Sequence, residues 1–181
     1  MTMATQTVLD PRYPIGKFAR PKSLDARQLR GCIATLAALP ENLRAAVYGL
    51  NETQTDSPYR EGGWTVRQLV HHVADSHMNA YVRTRLALTE DWPPIKPYNE
   101  KLWAELPDAK ALPVDVSLEL LDTLHRRWVA LLNALSEEDW KRGYVHPESG
   151  EQTLEQVVAL YDWHSRHHVA HITSLRKSRG W

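Results

Sequence analysis

Cysteine is almost absent from this sequence, in which Cys32 is the only one among 181 residues. A disulfide within the chain is therefore excluded, and the composition fits a protein of a reducing compartment. A single thiol also cannot build a cysteine-rich zinc site or an iron–sulfur cluster, because both need several thiolates. A metal site in this protein would therefore have to use other ligands.

An excess of charge and a long hydrophobic run are also missing. Lys and Arg together number 22, Asp and Glu together number 22, and the formal net charge is zero. Neither nucleic acid nor an anionic membrane is an expected partner, since binding to either draws on a basic excess. No apolar stretch approaches the roughly 18 residues of a membrane span, and the first ten residues lack the layout of a signal peptide. We predict a soluble, cytoplasmic protein with one domain over residues 1–181.

Histidine, in contrast, is abundant, with nine in the chain. Val and Ala interrupt the two short stretches that hold most of them, so neither stretch is a polyhistidine tag. Seven of the nine lie in these stretches, His71, His72 and His77 in the first, and His164, His167, His168 and His171 in the second. Two interpretations follow for such a cluster: buried histidines with structural hydrogen bonds, or ligands of a metal ion.

Apolar residues recur at helical spacing in four long segments, which predict four helices. Pro40 interrupts the first segment, so we predict either two helical pieces or one kinked helix. Thr65 and Gln68 fit a capping box at the start of the second. The segments begin near Ser23, Thr65, Ser117 and Thr153 and end near Leu50, Thr89, Leu135 and Lys177. Four long helices without a βαβ alternation predict an all-α fold, a four-helix bundle that we expect to be antiparallel.

The connections between these helices are long and rich in proline. Residues 1–22 contain three prolines and no period, and they are predicted to form an extended arm on the surface. Residues 51–63 are predicted as a loop and residues 143–152 as a turn or hairpin. The connection 91–115 holds five prolines and one predicted short helix over 99–106. It is longer than usual in a compact domain, which favours a lid or an interface.

His164 and His168 stand four residues apart on the apolar face of the last helix. Two imidazoles on successive turns can bind one metal ion, and many zinc sites use this spacing. A third ligand is expected from the second helix. There His77 lies at the centre of the apolar stripe and His72 on its flank, so the periodicity slightly favours His77 but leaves both open.

Other polar residues near these faces have simpler predicted roles. His71 and His167 lie away from the apolar faces and are predicted to be solvated. Tyr161 lies one turn before His164 and is predicted to line the pocket or to pack in the core. Arg83 would bind an anionic group of a substrate or form a surface ion pair. No general base is assigned.

Missing motifs exclude several classes of metal site. The sequence has no H-E-x-x-H, which the zincin metalloproteases use, and no E-x-x-H, which di-iron carboxylate bundles use. Three histidines without an obvious fourth protein ligand describe an open site. Open sites are typical of catalytic metals, whereas structural metals are fully enclosed by protein ligands.

Two longer motifs resemble those of a known family. Residues 61–77, EGGWTVRQLVHHVADSH, and residues 163–172, WHSRHHVAHI, resemble the two metal-binding helices of the DinB-like superfamily. Within it they are most similar to the YfiT branch of metal-dependent hydrolases. Residues 13–18, YPIGKF, and the RGW ending are similar as well, so the resemblance spans nearly the whole chain. It implies a four-helix bundle and a homodimer.

The resemblance also implies one divalent metal ion per subunit, zinc or nickel, held by three histidines. The first ligand of the family lies eight residues after the Trp of a W-[ST]-V motif, and His72 occupies that position. The other two match His164 and His168. The resemblance therefore selects His72 over His77, which becomes a neighbour of the site.

The resemblance implies a metal-dependent hydrolase of unknown substrate, in which the metal activates water and polarises a carbonyl. The alternative is an S-transferase that delivers a low-molecular-weight thiol, of the bacillithiol or mycothiol type, to an electrophile, since the superfamily includes such enzymes. Because Cys32 is the only cysteine, that thiol would come from outside the protein. A third interpretation is a non-catalytic bundle whose metal only fixes the helices.

Overall fold

The structure, a computed structural model, describes residues 10–181. Within this range the chain folds into a bundle of four long helices, as the apolar periodicity predicts. The long helices are α1 (Ala26–Val47), α3 (Val66–Thr89), α6 (Val114–Asn133) and α8 (Leu154–Arg179). The shorter elements are α2 (Glu52–Thr55), α4 (Glu100–Trp103), α5 (Pro107–Ala111), α7 (Glu137–Lys141) and a hairpin of β1 (Gly143–His146) and β2 (Gly150–Thr153). None of the described helices is long and apolar enough to cross a membrane.

Capping side chains explain where three of the long helices begin. Asp25, Thr65 and Thr153 each accept a hydrogen bond from the backbone N–H three residues later, and the glutamine at that later position bonds back to the cap. This capping box satisfies backbone donors that no helical carbonyl reaches. The box predicted at Thr65 and Gln68 is therefore confirmed.

Pro40 neither ends nor divides the first helix. α1 continues through it from Ala26 to Val47, so one continuous helix is found. Because proline has no N–H, the carbonyl of Leu36, four residues earlier, loses its helical donor. Nδ1 of His125 donates to that carbonyl at 2.7 Å. A side chain from α6 thus satisfies the group that the proline leaves free.

One helix start and one loop differ from the sequence prediction, and one predicted element is confirmed. α6 begins at Val114, so the cap expected at Ser117 is wrong. The Ser117 hydroxyl lies inside the helix and bonds the His71 ring at 2.7 Å instead of a backbone N–H. The predicted loop 51–63 contains the one-turn helix α2. The hairpin predicted at 143–152 is present as β1 and β2.

The order of the helices around the bundle differs from that along the chain. α1 packs against α6 and α8, and α3 packs against the same two helices. Successive long helices, α1 with α3 and α6 with α8, therefore lie across the diagonal. A diagonal step needs more chain than a step to a neighbour, which accounts for the long segments before α3 and α8.

α1 and α8 are parallel neighbours. Near both N-termini, the backbone N–H of Leu24 donates to the Glu155 carboxylate at 3.0 Å. Near both C-termini, Arg176 donates to the carbonyl of Ala46 at 2.9 Å. The two contacts occur in the same order along both helices, so the helices run in one direction.

α3 and α6 are also parallel. His71 bonds Ser117 near their N-termini, and His77 bonds His125 further along both helices. The two parallel pairs run in opposite directions, so the simple antiparallel bundle expected from the sequence is wrong for half of the interfaces. Because α6 starts beside the start of α3, the chain has to return along the bundle between them. Residues 90–113, which contain α4 and α5, make this return.

A polar layer divides the apolar core into two parts. One apolar cluster includes Leu36, Trp128, Val157 and Tyr161, and the other includes Leu43, Leu69, Leu121 and Ile172. Between the clusters, α3, α6 and α8 place His77, His125 and His164. His77 and His125 are fully buried. Buried polar rings at this level require hydrogen-bond partners or a metal, since an unpaired polar group is costly in a core.

Residues 10–22 form no helix or strand and lie against the bundle. Nε1 of Trp163 donates to the Gly16 carbonyl at 3.1 Å, and Gln156 donates to the Pro21 carbonyl at 3.2 Å. This agrees with the extended arm predicted for residues 1–22, of which residues 1–9 lie outside the described residues.

Candidate metal centre

Three histidines from two antiparallel helices converge at one point beside the polar layer. His72 comes from α3, and His164 and His168 come from successive turns of α8. Each offers a nitrogen atom, and these nitrogens all lie within 4.8 Å of one another. Among residues 10–181 this is the one such group of potential metal ligands. The structure thus brings together the three residues that the resemblance selects.

His77, which the periodicity favours as the third ligand, lies outside this group. It is fully buried one and a half turns beyond His72, and its Nε2 lies 3.1 Å from Nδ1 of His164. It therefore contacts the ring of a candidate ligand without sharing the point where the three nitrogens meet. The helical wheel slightly favoured His77 and did not decide, because both histidines lie on the buried side of α3.

Burial keeps the three candidate ligands neutral. It lowers the pKa of His72 to about 4. The pKa values of His164 and His168 are held well below the ordinary value, first by burial and then by the neighbouring imidazoles. A neutral imidazole keeps one unprotonated nitrogen, which is the form that binds a metal.

The hydrogen bonding of these rings fits a divalent ion. Nδ1 of His168 is buried and has no hydrogen-bond partner among the described residues. A neutral imidazole always has one bare nitrogen, and a bound metal ion would be a partner for it. Imidazole nitrogen is a good ligand for zinc, nickel and copper. The three nitrogens therefore suit zinc, nickel or copper better than magnesium or calcium, which prefer oxygen ligands.

His71 and His167 are buried, which corrects the prediction that both are solvated. His71 bonds Ser117 through Nδ1 and lies 3.1 Å from the Leu112 carbonyl through Nε2. His167 stacks on Trp163, with ring centroids 4.2 Å apart and planes 19° apart. Their faces of α3 and α8 are covered by the connection 90–113 and by residues 10–22. Helical periodicity does not reveal that these two histidines are buried, because the segments that cover them have no helical period.

The three histidines open onto a cavity of about 760 Å³. This volume is in the range of small-molecule sites. Positively and negatively charged side chains line this cavity: Arg12, Arg60, Lys101, Glu100 and Glu105. The sequence prediction missed these residues as site residues. One signal in the sequence could have indicated them: the length of the connection 91–115, which carries α4 and favours a lid or an interface.

A second cavity, of about 780 Å³, also reaches His164. Glu100 and Lys101 of α4 line both cavities, so this short helix lies between them. Tyr161 and Arg83 line the second cavity. The hydroxyl of Tyr161 donates to the Ser76 carbonyl at 3.1 Å, and the tyrosine also packs in the core.

Comparison with known proteins gives relatives of nearly equal length. Residues 35–172 match the family model described as the DinB superfamily. A relative from Bacillus cereus strain B4264, named "Putative metal-dependent hydrolase", is 55% identical over 172 residues, which are 95% of this chain and 99% of that protein. A relative with the same name from Bacillus thuringiensis subsp. konkukian strain 97-27 is also 55% identical over 172 residues.

A solved structure shares the fold. YfiT from Bacillus subtilis is described as "a probable metal-dependent hydrolase with an unusual four-helix bundle topology". It is 49% identical to this chain and superposes with a TM-score of 0.92, and the match covers 94% of this chain and 98% of YfiT. With a family model matched over residues 35–172 and relatives that are 55% identical over almost their full length, this chain belongs to the DinB superfamily and is a YfiT-type protein.

Proposed function

We propose that this protein is a metal-dependent hydrolase that acts on a small molecule and holds one divalent ion, zinc or nickel, through His72, His164 and His168. One observation carries the proposal: three neutral imidazoles direct nitrogens to a common point that opens onto a cavity. The names of the relatives, which include metal dependence, support the same conclusion.

The residues of the chain supply the binding and the orientation. A divalent ion in such a site lowers the pKa of a coordinated water and polarises a substrate carbonyl. His72, His164 and His168 leave the cavity side open, because no carboxylate or further imidazole of the described residues completes the group. Arg12, Arg60 and Lys101 line that side and would bind negatively charged or carbonyl oxygens of a substrate.

The metal content is tested first. Untagged protein should contain about one equivalent of zinc or nickel, and His168→Ala should lose it, since two imidazoles hold a divalent ion poorly. His167→Ala changes the adjacent histidine on the same helix and is the matched control, which should keep its metal. Retention of stoichiometric metal by His168→Ala would contradict the ligand assignment.

The reaction is tested with panels of esters, amides and lactones. Turnover should disappear with a chelator and return when zinc or nickel is added back, because the hydrolytic water depends on the ion. Activity that resists chelation would exclude the metal from the chemistry.

An S-transferase is the second candidate, and the two cavities on either side of α4 favour it, since both reach His164 and could hold two reactants. Cys32 cannot be the thiol. It lines a different cavity, formed with residues of the arm, and burial raises the pKa of its thiol to about 11. Metal-loaded protein would be incubated with bacillithiol or mycothiol and an epoxide or chlorinated electrophile. Absence of conjugation with both thiols would count against this function.

A further inference from the structure

A continuous chain of hydrogen bonds leads from the backbone of α1 to a candidate metal ligand. Nδ1 of His125 lies 2.7 Å from the Leu36 carbonyl oxygen. Nε2 of His125 lies 3.0 Å from Nδ1 of His77, and Nε2 of His77 lies 3.1 Å from Nδ1 of His164. The chain therefore crosses three helices, α6, α3 and α8, and uses both nitrogens of two histidines.

The Leu36 carbonyl determines which nitrogen donates and which accepts in every hydrogen bond of this series. A carbonyl oxygen can only accept, so His125 must carry its proton on Nδ1. A neutral His125 then has a bare Nε2, which requires His77 to donate from its own Nδ1. A neutral His77 in turn has a bare Nε2, which requires His164 to donate from Nδ1. Nε2 is then the one nitrogen of His164 that remains free.

The surroundings keep His77 and His125 neutral and shielded from solvent. His77 is fully buried, and the rings of Tyr161 and Trp128 meet it edge-on at centroid distances of 4.9 and 6.0 Å. Burial lowers the pKa of His125 to about 4 and holds the pKa of His77 well below its usual range. Because these two rings are neutral, each has one stable tautomer, set by its hydrogen-bond partners.

Pro40 explains why the Leu36 carbonyl is available as the starting point. In an ordinary helix this oxygen would accept the N–H of residue 40, and proline has none. A buried carbonyl without a donor is costly, and His125 removes that cost. A proline inside α1, which costs about 3 kcal/mol of helix propensity, thus leaves a fixed acceptor for the histidine chain.

We propose that His77 and His125 are positioning residues that hold His164 in its Nδ1–H tautomer and so present its Nε2 to the metal. The tautomer assignment stands on the hydrogen-bond geometry and on the burial that keeps the rings neutral, and it needs no metal. The role of Nε2 as a metal ligand rests on the proposed function.

The tautomers can be measured in the wild-type protein without metal. In protein labelled with ¹⁵N-histidine, long-range ¹H–¹⁵N correlation spectra distinguish protonated from bare ring nitrogens. We expect His125, His77 and His164 each to show a protonated Nδ1 and a bare Nε2 at pH 7.5. An Nε2–H tautomer of His164 in folded, metal-free protein would overturn the proposal.

Variants of His125 then test whether the hydrogen bonds through His125 and His77 affect metal binding by His164. His125→Phe removes the acceptor of the His77 Nδ1–H, so His164 should lose its single tautomer and the affinity for zinc ions should fall about 10- to 100-fold. His125→Gln can still accept from His77 and donate to Leu36, and it should restore both properties. Thr84→Val is the control: it removes a buried hydroxyl of α3 that bonds the Ala80 carbonyl. It should change neither the His164 tautomer nor the zinc affinity.

The outcomes separate this inference from the proposed function. A folded His125→Phe with an unchanged His164 tautomer or unchanged zinc affinity would overturn the inference, even if the enzyme hydrolyses its substrate. Wild-type protein with the expected tautomers that binds neither zinc nor nickel would instead overturn the proposed function. If His125→Phe does not fold, the wild-type spectra and His125→Gln still decide the tautomer.

Discussion

His125 shows how its surroundings change the chemistry of a single histidine. Its side chain is 2% exposed, and it bonds a backbone carbonyl and another imidazole. Desolvation is the main cause of its low pKa of about 4, while the Leu36 carbonyl and Asp122 act weakly in the other direction. An unfolded histidine titrates near 6.5. Between these values the unfolded chain binds the proton more tightly than the folded chain.

The stability of the metal-free protein should therefore fall on acidification. Each pH unit between 6.5 and 4 removes about 1.4 kcal/mol for such a group, so His125 alone should lower the free energy of unfolding by about 2 kcal/mol between pH 7.5 and 5. Urea unfolding of wild type and His125→Gln at both pH values measures this difference. Asp75, whose pKa is raised to about 6 by burial, has the opposite dependence but contributes to both proteins. Equal pH dependence in the two would contradict the prediction.

Gly143 is a residue for which the close packing excludes any side chain. A Cβ at this position would lie 2.7 Å from the Trp92 ring and would also overlap the Gln152 backbone across the hairpin. Gly143→Ala should therefore lower the free energy of unfolding by about 1–3 kcal/mol. Gly31→Ala is the matched control, since Gly31 lies in α1 with open space around it, and it should raise that energy by up to about 1 kcal/mol. Urea unfolding measures both variants, and equal effects would contradict the packing argument.

At the level of elements, the first turns of α3 hold the connection that covers the site. Arg67 binds the carboxylates of Asp56 and Glu52 and donates to the Leu112 carbonyl at 2.9 Å. Gln68 donates to the Ala104 carbonyl at 2.7 Å. These bonds join α3 to α2, to the end of α4 at Ala104 and to the end of α5 at Leu112. The connection is thus fixed on one side by the same helix that carries His72.

Loss of the Arg67 guanidinium should loosen this connection. Arg67→Met keeps the aliphatic part of the side chain and removes bonds to two carboxylates and a carbonyl. Because the arginine is 4% exposed, we expect a loss of about 3 kcal/mol in the free energy of unfolding and faster amide hydrogen exchange in residues 104–113. Lys141→Met removes an exposed ion pair with Glu138 and should cost less than about 1 kcal/mol. Similar losses in both variants would contradict this assignment.

At the level of the whole molecule, the candidate metal centre lies beside the core and does not replace it. Two apolar clusters pack on either side of the histidine layer, and both draw residues from all four long helices. Burial of apolar surface of this extent stabilises a bundle without a metal. The homodimer implied by the resemblance stays a prediction, which sedimentation equilibrium can measure.

Metal removal should therefore lower the stability without unfolding the protein. Chelation should leave the helical circular dichroism at 25 °C unchanged and lower the thermal midpoint, because an ion at 1,000 times its Kd adds about 4 kcal/mol to the folded state. In His168→Ala, chelation should not change the midpoint. Loss of the helical signal in chelated wild type would instead favour the non-catalytic bundle whose metal fixes the helices.

Local sequence patterns predict the four helices, the capping box at Thr65, a turn or hairpin at residues 143–152, and the position of His164 and His168 on one face of the last helix. These depend on neighbours three or four residues away, which periodicity and cap residues reveal. His72 was selected by the resemblance of a long motif, since the periodicity slightly favoured His77.

Contacts between distant segments become visible only in the folded bundle. The parallel pairing of α3 with α6 places His77 beside His125, and the return of residues 90–113 along the bundle buries His71. Pro40, which was predicted to interrupt the first helix, leaves the Leu36 carbonyl free to accept a hydrogen bond from His125 of the neighbouring helix α6. No local pattern encodes such pairings, because each depends on which helices become neighbours and in which direction they run.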